Sequence, residues 1–353
     1  RVAPDFLTQD FADLLPREHV VLTLPPHPPR TSDFLERLRK WHMANYRVAL
    51  DVEGHEEDYT FLFDRVDYLK VNGHRLKPGS EDLDAVLKLA KSAKRKLVAD
   101  HVKDWAELEQ FKQAGFHYFQ GEFYTQPNEE AGGQPLTENQ AMLIRLFNQL
   151  SVRAEFEDIE ATFKKAPDLM AQLLNFINSP LFYIPNKINS VRQALVMLGL
   201  KNLERWVALL LYSTSSDKKD KSAASFRNPL LEEAIIRGRV MELTARDLSR
   251  SDDFAESAFV TGALSVIRAL LGRPMEDLVG ELNLDDDIGA ALTRQEGTLG
   301  KLLATVEHLR EHRSLSAQPA PEREGVAADK IYAHEEQATL EVEDLDQPSA
   351  TGY

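Results

Sequence analysis

Hydrophobic positions follow two different patterns along the chain, and the change falls near residue 135. From residue 18 to 127, short β-branched and apolar runs alternate with stretches whose apolar residues recur at helical spacing. The predicted strands are 19–24, 47–52, 68–71, 96–102 and 116–119, and the predicted helices between them are 32–45, 81–93 and 104–114. This alternation predicts a parallel sheet with right-handed crossovers, either a (β/α) barrel or a doubly wound sheet.

After residue 135 only helical spacing remains. The stretch 127–135 contains glycine, proline and glutamate and is predicted to be a linker. Helices are predicted over 137–150, 167–177, 190–199, 206–212, 230–248, 258–271 and 300–311, with another opening at Pro274. From 314 onward the periodicity disappears among prolines and acids. The sequence therefore predicts an α/β domain (1–134), a helical domain (135–313) and a disordered acidic tail (314–353).

Composition narrows the function classes. The 353 residues include 57 acidic and 42 basic side chains, for a net charge of −15. This balance disfavours a nucleic-acid partner or an anionic membrane surface, although part of the negative charge lies in the tail. With no cysteine, disulfides, thiolate nucleophiles and cysteine-bound zinc are excluded. No apolar stretch approaches the ~18 residues of a membrane span, and Arg1 opens no signal peptide. We expect a cytoplasmic protein whose given sequence begins partway along a longer chain.

Polar and charged residues fall at the ends of several predicted strands. They are Asp51, Lys70, Asp100 and Gln120. Active sites of (β/α) barrels gather at the C-terminal ends of their strands. Two carboxylates with a lysine could hold divalent metals there and activate a water for phosphodiester hydrolysis. Alternatively, these four residues are ordinary turn residues at strand ends whose side chains are solvated.

The segments 97–102 and 116–123 resemble the end of an EAL domain, the barrel that hydrolyses cyclic di-GMP. In this resemblance, Lys70 and Gln120 match the family lysine and glutamine. Asp51 matches the first of two paired aspartates, and Asp100 stands in place of a glutamate. The stretch that would carry the family's name motif is absent, so we expect an EAL-type barrel that is incomplete at its N-terminus.

Three other positions depart from the EAL pattern. Thr23 stands where the family has a metal-binding residue, Val52 replaces the second paired aspartate, and Lys103 replaces a glutamate. Hard divalent cations need several oxygen ligands, and a lysine nearby repels them. We therefore expect vestigial site residues, no bound metal or cofactor, and no phosphodiesterase activity.

The second half resembles an HDOD domain, a catalytically silent relative of the HD hydrolases. The resemblance runs through 166–180, 188–194, 198–200, 205–207 and 262–275, with signature positions at Asn178, Ser179, Arg192, Gly199 and Trp206. At the positions of the HD histidine and the His-Asp dyad, the chain has Ile236, Ser265 and Val266. These side chains cannot bind a metal as imidazole and carboxylate do, so no hydrolase chemistry is expected here either.

Together these features predict a bacterial signal-transduction scaffold without catalysis, linked to cyclic di-GMP signalling or to motility and biofilm control. Its partners would be other proteins, such as further signalling proteins. The alternatives are a residual cyclic di-GMP phosphodiesterase and an effector that binds cyclic di-GMP without cleaving it. Five strands cannot close an eight-stranded barrel. The open sheet edge is therefore expected to form a homodimer or to pack on the helical domain.

Overall fold

The computed structural model describes residues 20–54, 59–127, 136–179, 182, 187–213, 228–248, 251–315 and 325–346. The chain divides into two compact units, Arg1–Gln126 and Pro127–Tyr353. The division falls eight residues before the predicted boundary between 134 and 135. Most of the predicted linker, residues 128–135, lies outside the described residues.

The first unit is built on a parallel five-stranded sheet. Its strands are β1 (Val21–Leu24), β2 (Arg47–Val52), β3 (Tyr68–Asn72), β4 (Lys96–Val102) and β5 (Tyr118–Gly121). They lie side by side in chain order, β1-β2-β3-β4-β5. A doubly wound sheet reverses its strand order at a switch point, whereas a (β/α) barrel adds each strand beside the last. The strand order is therefore that of a (β/α) barrel.

Three helices connect these strands, and each begins at a side-chain cap. They are α1 (Ser32–Met43), α2 (Glu81–Ala93) and α3 (Trp105–Gln113), with a 3-10 turn at Thr60–Arg65 between β2 and β3. Thr31, Ser80 and Asp104 accept hydrogen bonds from backbone amides of the first turns, which satisfies donors that the helix leaves unpaired. β1 and β5 are the outer strands of the described sheet, and the homodimer through an edge stays a prediction.

The second unit is helical throughout its described residues. Its helices are α4 (Glu138–Ser151), α5 (Phe156–Lys164), α6 (Pro167–Ile177), α7 (Val191–Ser213), α8 (Pro229–Asp247), α9 (Asp252–Leu264), α10 (Ile267–Leu271), α11 (Met275–Glu281), α12 (Asp286–Arg294), α13 (Gly297–Leu315) and α14 (Ala328–Asp346). α7 bends at Gly199, whose φ of 73° and ψ of 158° are not helical. α8 and α9 cross so closely that a Cβ on Gly262 would lie 2.6 Å from the Arg237 carbonyl oxygen.

The prediction of a disordered tail is wrong for residues 328–346, which form α14. Ile331, Ala338 and Val342 are buried, so this helix has an apolar face despite its many acids. Its acids also have partners. Glu341 pairs with Arg239, which lies on the neighbouring helix α8. The acidic composition suggested a solvated segment, but the helix packs through its apolar face while Asp329, Glu336 and Glu341 are exposed.

One stretch in the described part of the chain, Asp252–Leu271, is long and apolar enough by composition to cross a membrane. It is interrupted between α9 and α10, and most of its side chains are buried inside the helical unit. Ala255, Ala258, Ala263 and Leu264 are fully buried there. The stretch therefore forms the core of the helical unit.

Candidate functional site

Strand register brings the candidate side chains of the first unit onto one face of the sheet. Asp51 pairs with Lys70 across β2 and β3, and Lys70 pairs with Val98 across β3 and β4. Residues paired across a parallel sheet point to the same face, as do residues two apart on one strand. Asp100, two residues after Val98, therefore shares the face of Asp51 and Lys70. Thr23 lies on this face too, because it pairs with Ala49.

Val52 lies on the opposite face. It is almost fully buried in the hydrophobic core of the first unit, together with Leu50, Leu69 and Val71. Since its side chain is directed away from the face of Asp51, it contributes an apolar contact to the core. Val52 therefore does not belong to the face that carries the candidate polar residues.

An ion pair joins β3 to β4 at the C-terminal ends of these strands. Lys70 Nζ lies 2.9 Å from Asp100 Oδ2, and both side chains are largely buried. Burial alone would raise the pKa of Asp100. The hydrogen bonds from His101 and Lys70, together with the positive charge of Lys70, outweigh burial and lower the pKa to about 2. Asp100 is therefore an anion throughout the neutral range.

Gln120 lies on β5, the last strand of the described sheet, and is exposed. The pairing of β4 with β5 is irregular between Ala99 and Val102. Gly121 is required at this point, because a Cβ there would lie 2.2 Å from the Val102 carbonyl oxygen. The register shift lies at the level of Asp100, and shifts of this kind commonly re-aim side chains.

Lys103 lies just beyond β4 and its side chain is exposed. Its backbone amide donates to Glu107 Oε2 at 2.7 Å, and Glu107 also pairs with Lys77. Glu107 therefore holds the loop between β4 and α3. No role was assigned from the sequence to two histidines in this region. His74 and His101 face each other with ring centroids 5.5 Å apart, and His101 contacts Asp100.

In the helical unit, Asn178 links two helices. Its Nδ2 donates to the carbonyl oxygens of Leu174 and Ile188, and its Oδ1 accepts from the Ile188 amide at 2.8 Å. This side chain fixes the end of α6 to the segment that precedes α7. Trp206 stacks on Phe176 with ring centroids 5.6 Å apart, which packs α7 on α6.

Arg192 and Ser179, two further HDOD signature positions, differ in their contacts. Arg192 pairs with Glu157 at the surface, which connects the start of α7 to α5. Ser179 follows the end of α6, and its buried hydroxyl has no hydrogen-bond partner among the described residues. These contacts support structural roles for the signature positions.

Ile236, Ser265 and Val266, which stand at the positions of the HD histidine and dyad, are surrounded by apolar side chains and by an ion pair. Ile236 packs against the core, Val266 is buried, and Ser265 Oγ donates to the Gly262 carbonyl oxygen at 2.8 Å. The Arg237 guanidinium lies 3.4 Å from Ser265 Oγ and pairs with Glu233 at 2.5 Å. A buried guanidinium at this point opposes the binding of a cation.

Glu233 is the centre of a buried ion network. Burial would raise the pKa of Glu233, but Arg310 and Arg237 outweigh it and hold the pKa at about 2. Arg310 also pairs with Glu335 on α14 at 2.8 Å. The network therefore ties α8 and α13 to the C-terminal helix. Within the described residues, no group of three or more His, Cys, Asp or Glu side chains could hold a metal ion.

Comparison with protein families finds two matches. The EAL domain family matches residues 3–127, and the HDOD domain family matches residues 136–272. The first match covers the unit that carries Asp51, Lys70, Asp100 and Gln120. The second ends at Gly272, so α11 to α14 lie beyond it.

Two curated proteins are similar to the chain over most of its length. Cyclic di-GMP phosphodiesterase CdgJ of Vibrio cholerae is 30% identical over 292 residues, which cover 82% of this chain. Uncharacterized protein YuxH of Bacillus subtilis is 28% identical over 285 residues, which cover 79% of it. The chain spans 65% of the length of the first relative and 68% of the second. No solved structure matches the chain significantly.

The comparison corrects two sequence-based expectations. The departures at Thr23, Val52 and Lys103 led us to expect a scaffold without enzymatic activity. The similarity to a curated cyclic di-GMP phosphodiesterase and the EAL match contradict both the scaffold and the absence of an enzyme. Three substitutions read against a family pattern are too little to establish that a site is lost.

Proposed function

The chain is an EAL–HDOD protein, and on this basis we propose that it is a cyclic di-GMP phosphodiesterase. The observation that carries the proposal is the Lys70–Asp100 ion pair, which lies on the same sheet face as Asp51. The site is at the C-terminal ends of the strands, where barrels of this kind place their catalytic groups. Similarity to a relative that carries this activity in its name supports the same function.

The family pattern implies divalent cations, and the described residues fit them incompletely. Asp51 and Asp100 supply two carboxylates on one face, but they are separated by β3 with its Lys70. No group of three or more acidic or histidine side chains close enough to bind a metal occurs in the described residues. We therefore derive no step through a metal and restrict the roles to the side chains of this chain.

The reaction opens one phosphodiester of the cyclic dinucleotide. A water adds to phosphorus and gives up one proton to solvent, the bond from phosphorus to the ribose 3′ oxygen breaks, and the leaving oxygen takes one proton from solvent, giving a linear dinucleotide. Lys70 supplies a positive charge to the phosphoryl oxygens, whose negative charge must be stabilised in the transition state. Asp51 accepts a hydrogen bond from the attacking water and orients it. The exposed Gln120 amide contacts the nucleotide at the rim of the site.

Asp100 holds Lys70 in place. Because its pKa is about 2, it stays ionised at neutral pH and does not act as a general acid there. Its negative charge keeps the Lys70 ammonium at the end of β3. The pair therefore presents a fixed cation to the substrate and keeps this end of the sheet hydrogen-bonded.

Product formation tests the proposal. Purified protein is incubated with cyclic di-GMP and Mg²⁺ or Mn²⁺, and the nucleotides are separated by chromatography. The proposal requires a linear dinucleotide whose amount grows with time and with protein concentration. Cyclic di-GMP that remains intact at every protein concentration would contradict it.

Binding without turnover is a second candidate function, favoured by the incomplete set of metal ligands among the described residues. Calorimetry with cyclic di-GMP, with and without divalent metal, separates the two functions. Heat of binding without any linear product would support the effector. Turnover would exclude it, and the absence of both heat and a thermal shift would exclude it as well.

Partners and location extend the proposal. We propose a cytoplasmic protein whose helical unit contacts another signalling protein. Two hydrophobic side chains exposed on α7, Val196 and Met197, support this proposal.

A further inference from the structure

His101 has a backbone conformation that side chains rarely adopt. Its φ is 59°, in the left-handed region, although it lies within the strand β4. A non-glycine residue in this region is uncommon, and such outliers cluster at functional sites. The surroundings explain how the strain persists, because the irregular pairing between Ala99 and Val102 fixes the chain on both sides of it.

The unusual backbone turns His101 back onto its neighbour. The His101 amide donates to Asp100 Oδ1 at 2.9 Å, and the imidazole Nδ1 lies 3.2 Å from Oδ2, an ion-pair distance outside hydrogen-bond geometry. Lys70 Nζ lies 2.9 Å from the same Oδ2. Both carboxylate oxygens are therefore held, and rotation of the Asp100 carboxylate would break at least one contact.

A second histidine supports the first. The rings of His74 and His101 have centroids 5.5 Å apart and are tilted by 60°. The His74 amide donates to Asn72 Oδ1 at 2.9 Å, which fixes His74 at the end of β3. Burial lowers the pKa of His74, and the nearby charges of Lys103, His101 and Lys77 lower it further, against the opposing effect of Glu107. A neutral ring therefore packs against His101 and limits its movement.

We propose that His101 is a positioning residue, which fixes the Asp100 carboxylate and through it the Lys70 ammonium in one geometry. The inference rests on the proposed function, since it assigns this geometry to the phosphodiester site. A glycine would adopt the same backbone without strain but would leave the carboxylate held only by the amide and Lys70. Compared with glycine at this position, histidine adds the imidazole contact to the Asp100 carboxylate.

The test compares three variants of the full chain. His101→Gly keeps the backbone conformation and removes the imidazole. His101→Asn keeps a short polar side chain that tolerates left-handed φ. Lys94→Gly is the matched control, because Lys94 has a φ of 55° but caps the end of α2 at the opposite end of β4.

His101→Gly should lower kcat about 10- to 100-fold, with a smaller change in KM, because a misplaced group costs rate. Its melting temperature should match or exceed that of the wild type. His101→Asn should recover part of kcat, and Lys94→Gly should leave kcat unchanged. A wild-type kcat in His101→Gly would overturn the positioning role, and so would an equal loss in Lys94→Gly.

A second readout does not depend on activity. In full-length protein with ¹⁵N-labelled histidine, the His101 signal is identified by its loss in His101→Gly. A proton on Nδ1, shared with the Asp100 carboxylate, should give the Nδ1–H tautomer or the doubly protonated ring. A ring protonated only on Nε2 would overturn the contact. If the wild type does not cleave cyclic di-GMP, the proposed function fails, and this spectrum alone decides the role of His101.

Discussion

Asp51 and Val52 are neighbours on β2, yet their side chains lie on opposite faces of the parallel sheet. Asp51 pairs with Lys70 on the face that carries the ion pair to Asp100. Val52 pairs with Val71, and both are buried in the core of the first unit. The position that a family comparison treats as a missing ligand therefore serves here as part of the core.

Replacing Val52 with aspartate should unfold the first unit rather than build a metal site. An unpaired carboxylate in this core costs more than about 3 kcal/mol, whereas Val52→Thr, nearly isosteric, should cost about 1–2 kcal/mol. Urea unfolding in a Trp206→Phe background measures both, because Trp41 and Trp105 then report the α/β unit alone. Val52→Asp with wild-type stability and tightened Mn²⁺ binding would show that the side chain reaches the site.

The stability of the first unit should depend on pH through Asp100. The folded-state pKa is about 2, below the ordinary value of 3.8. A lowered pKa contributes stability that is complete above about pH 4 and is lost as the pH falls towards about 2. The contribution is at most about 2 kcal/mol, since the carboxylate keeps some contact with solvent.

Asp100→Asn isolates this effect. The difference in unfolding free energy between wild type and Asp100→Asn should be constant from pH 7 to about 4 and should shrink below it. Asp64→Asn, at an exposed position in the same unit, serves as the matched control for the loss of one carboxylate. A difference that shrinks already between pH 7 and 5 would place the pKa of Asp100 much higher than the Lys70 contact implies.

The C-terminal helix should depend on its buried apolar residues more than on its surface charges. Ile331 is fully buried, whereas Leu340 on the same helix is 56% exposed. Ile331→Ala should cost about 2–5 kcal/mol of α14 docking, while Leu340→Ala should cost less than about 0.5 kcal/mol. Hydrogen exchange over 328–346 reports the change. Equal exchange in the two variants would mean that α14 is not docked through this face.

Alternating periods in the sequence were enough to predict the five strands and the helices between them. The distribution of side chains between the two faces of the sheet was not predictable in the same way. The period of two already places Asp51 and Val52 on opposite faces of the predicted strand, but only the register with Lys70 and Val71 shows which face carries the polar residues. Residue type did not reveal the left-handed backbone of His101, because histidine is enriched there only among the few non-glycine residues that adopt it.

The prediction of disorder for residues 328–346 was wrong because it relied on acidic composition rather than on the spacing of apolar residues. Ile331, Ala338 and Val342 are spaced for one face of a helix, but acids surround them and mask the pattern. The helix packs through this apolar face, and Arg239 on α8 and Arg310 on α13 also pair with its acids. These arginines lie about 20 to 100 positions away in the chain, too far for a local pattern to indicate them.

The most direct test of the account is the rate of cyclic di-GMP hydrolysis by wild type, Lys70→Ala and Lys40→Ala. Lys40 is the matched control, because it is exposed on α1 and pairs only weakly with Glu36. The account predicts turnover by the wild type, a loss of at least about 100-fold in kcat for Lys70→Ala, and no change for Lys40→Ala. A wild-type protein that forms no linear dinucleotide, or a Lys70→Ala variant that is as fast as wild type, would contradict it.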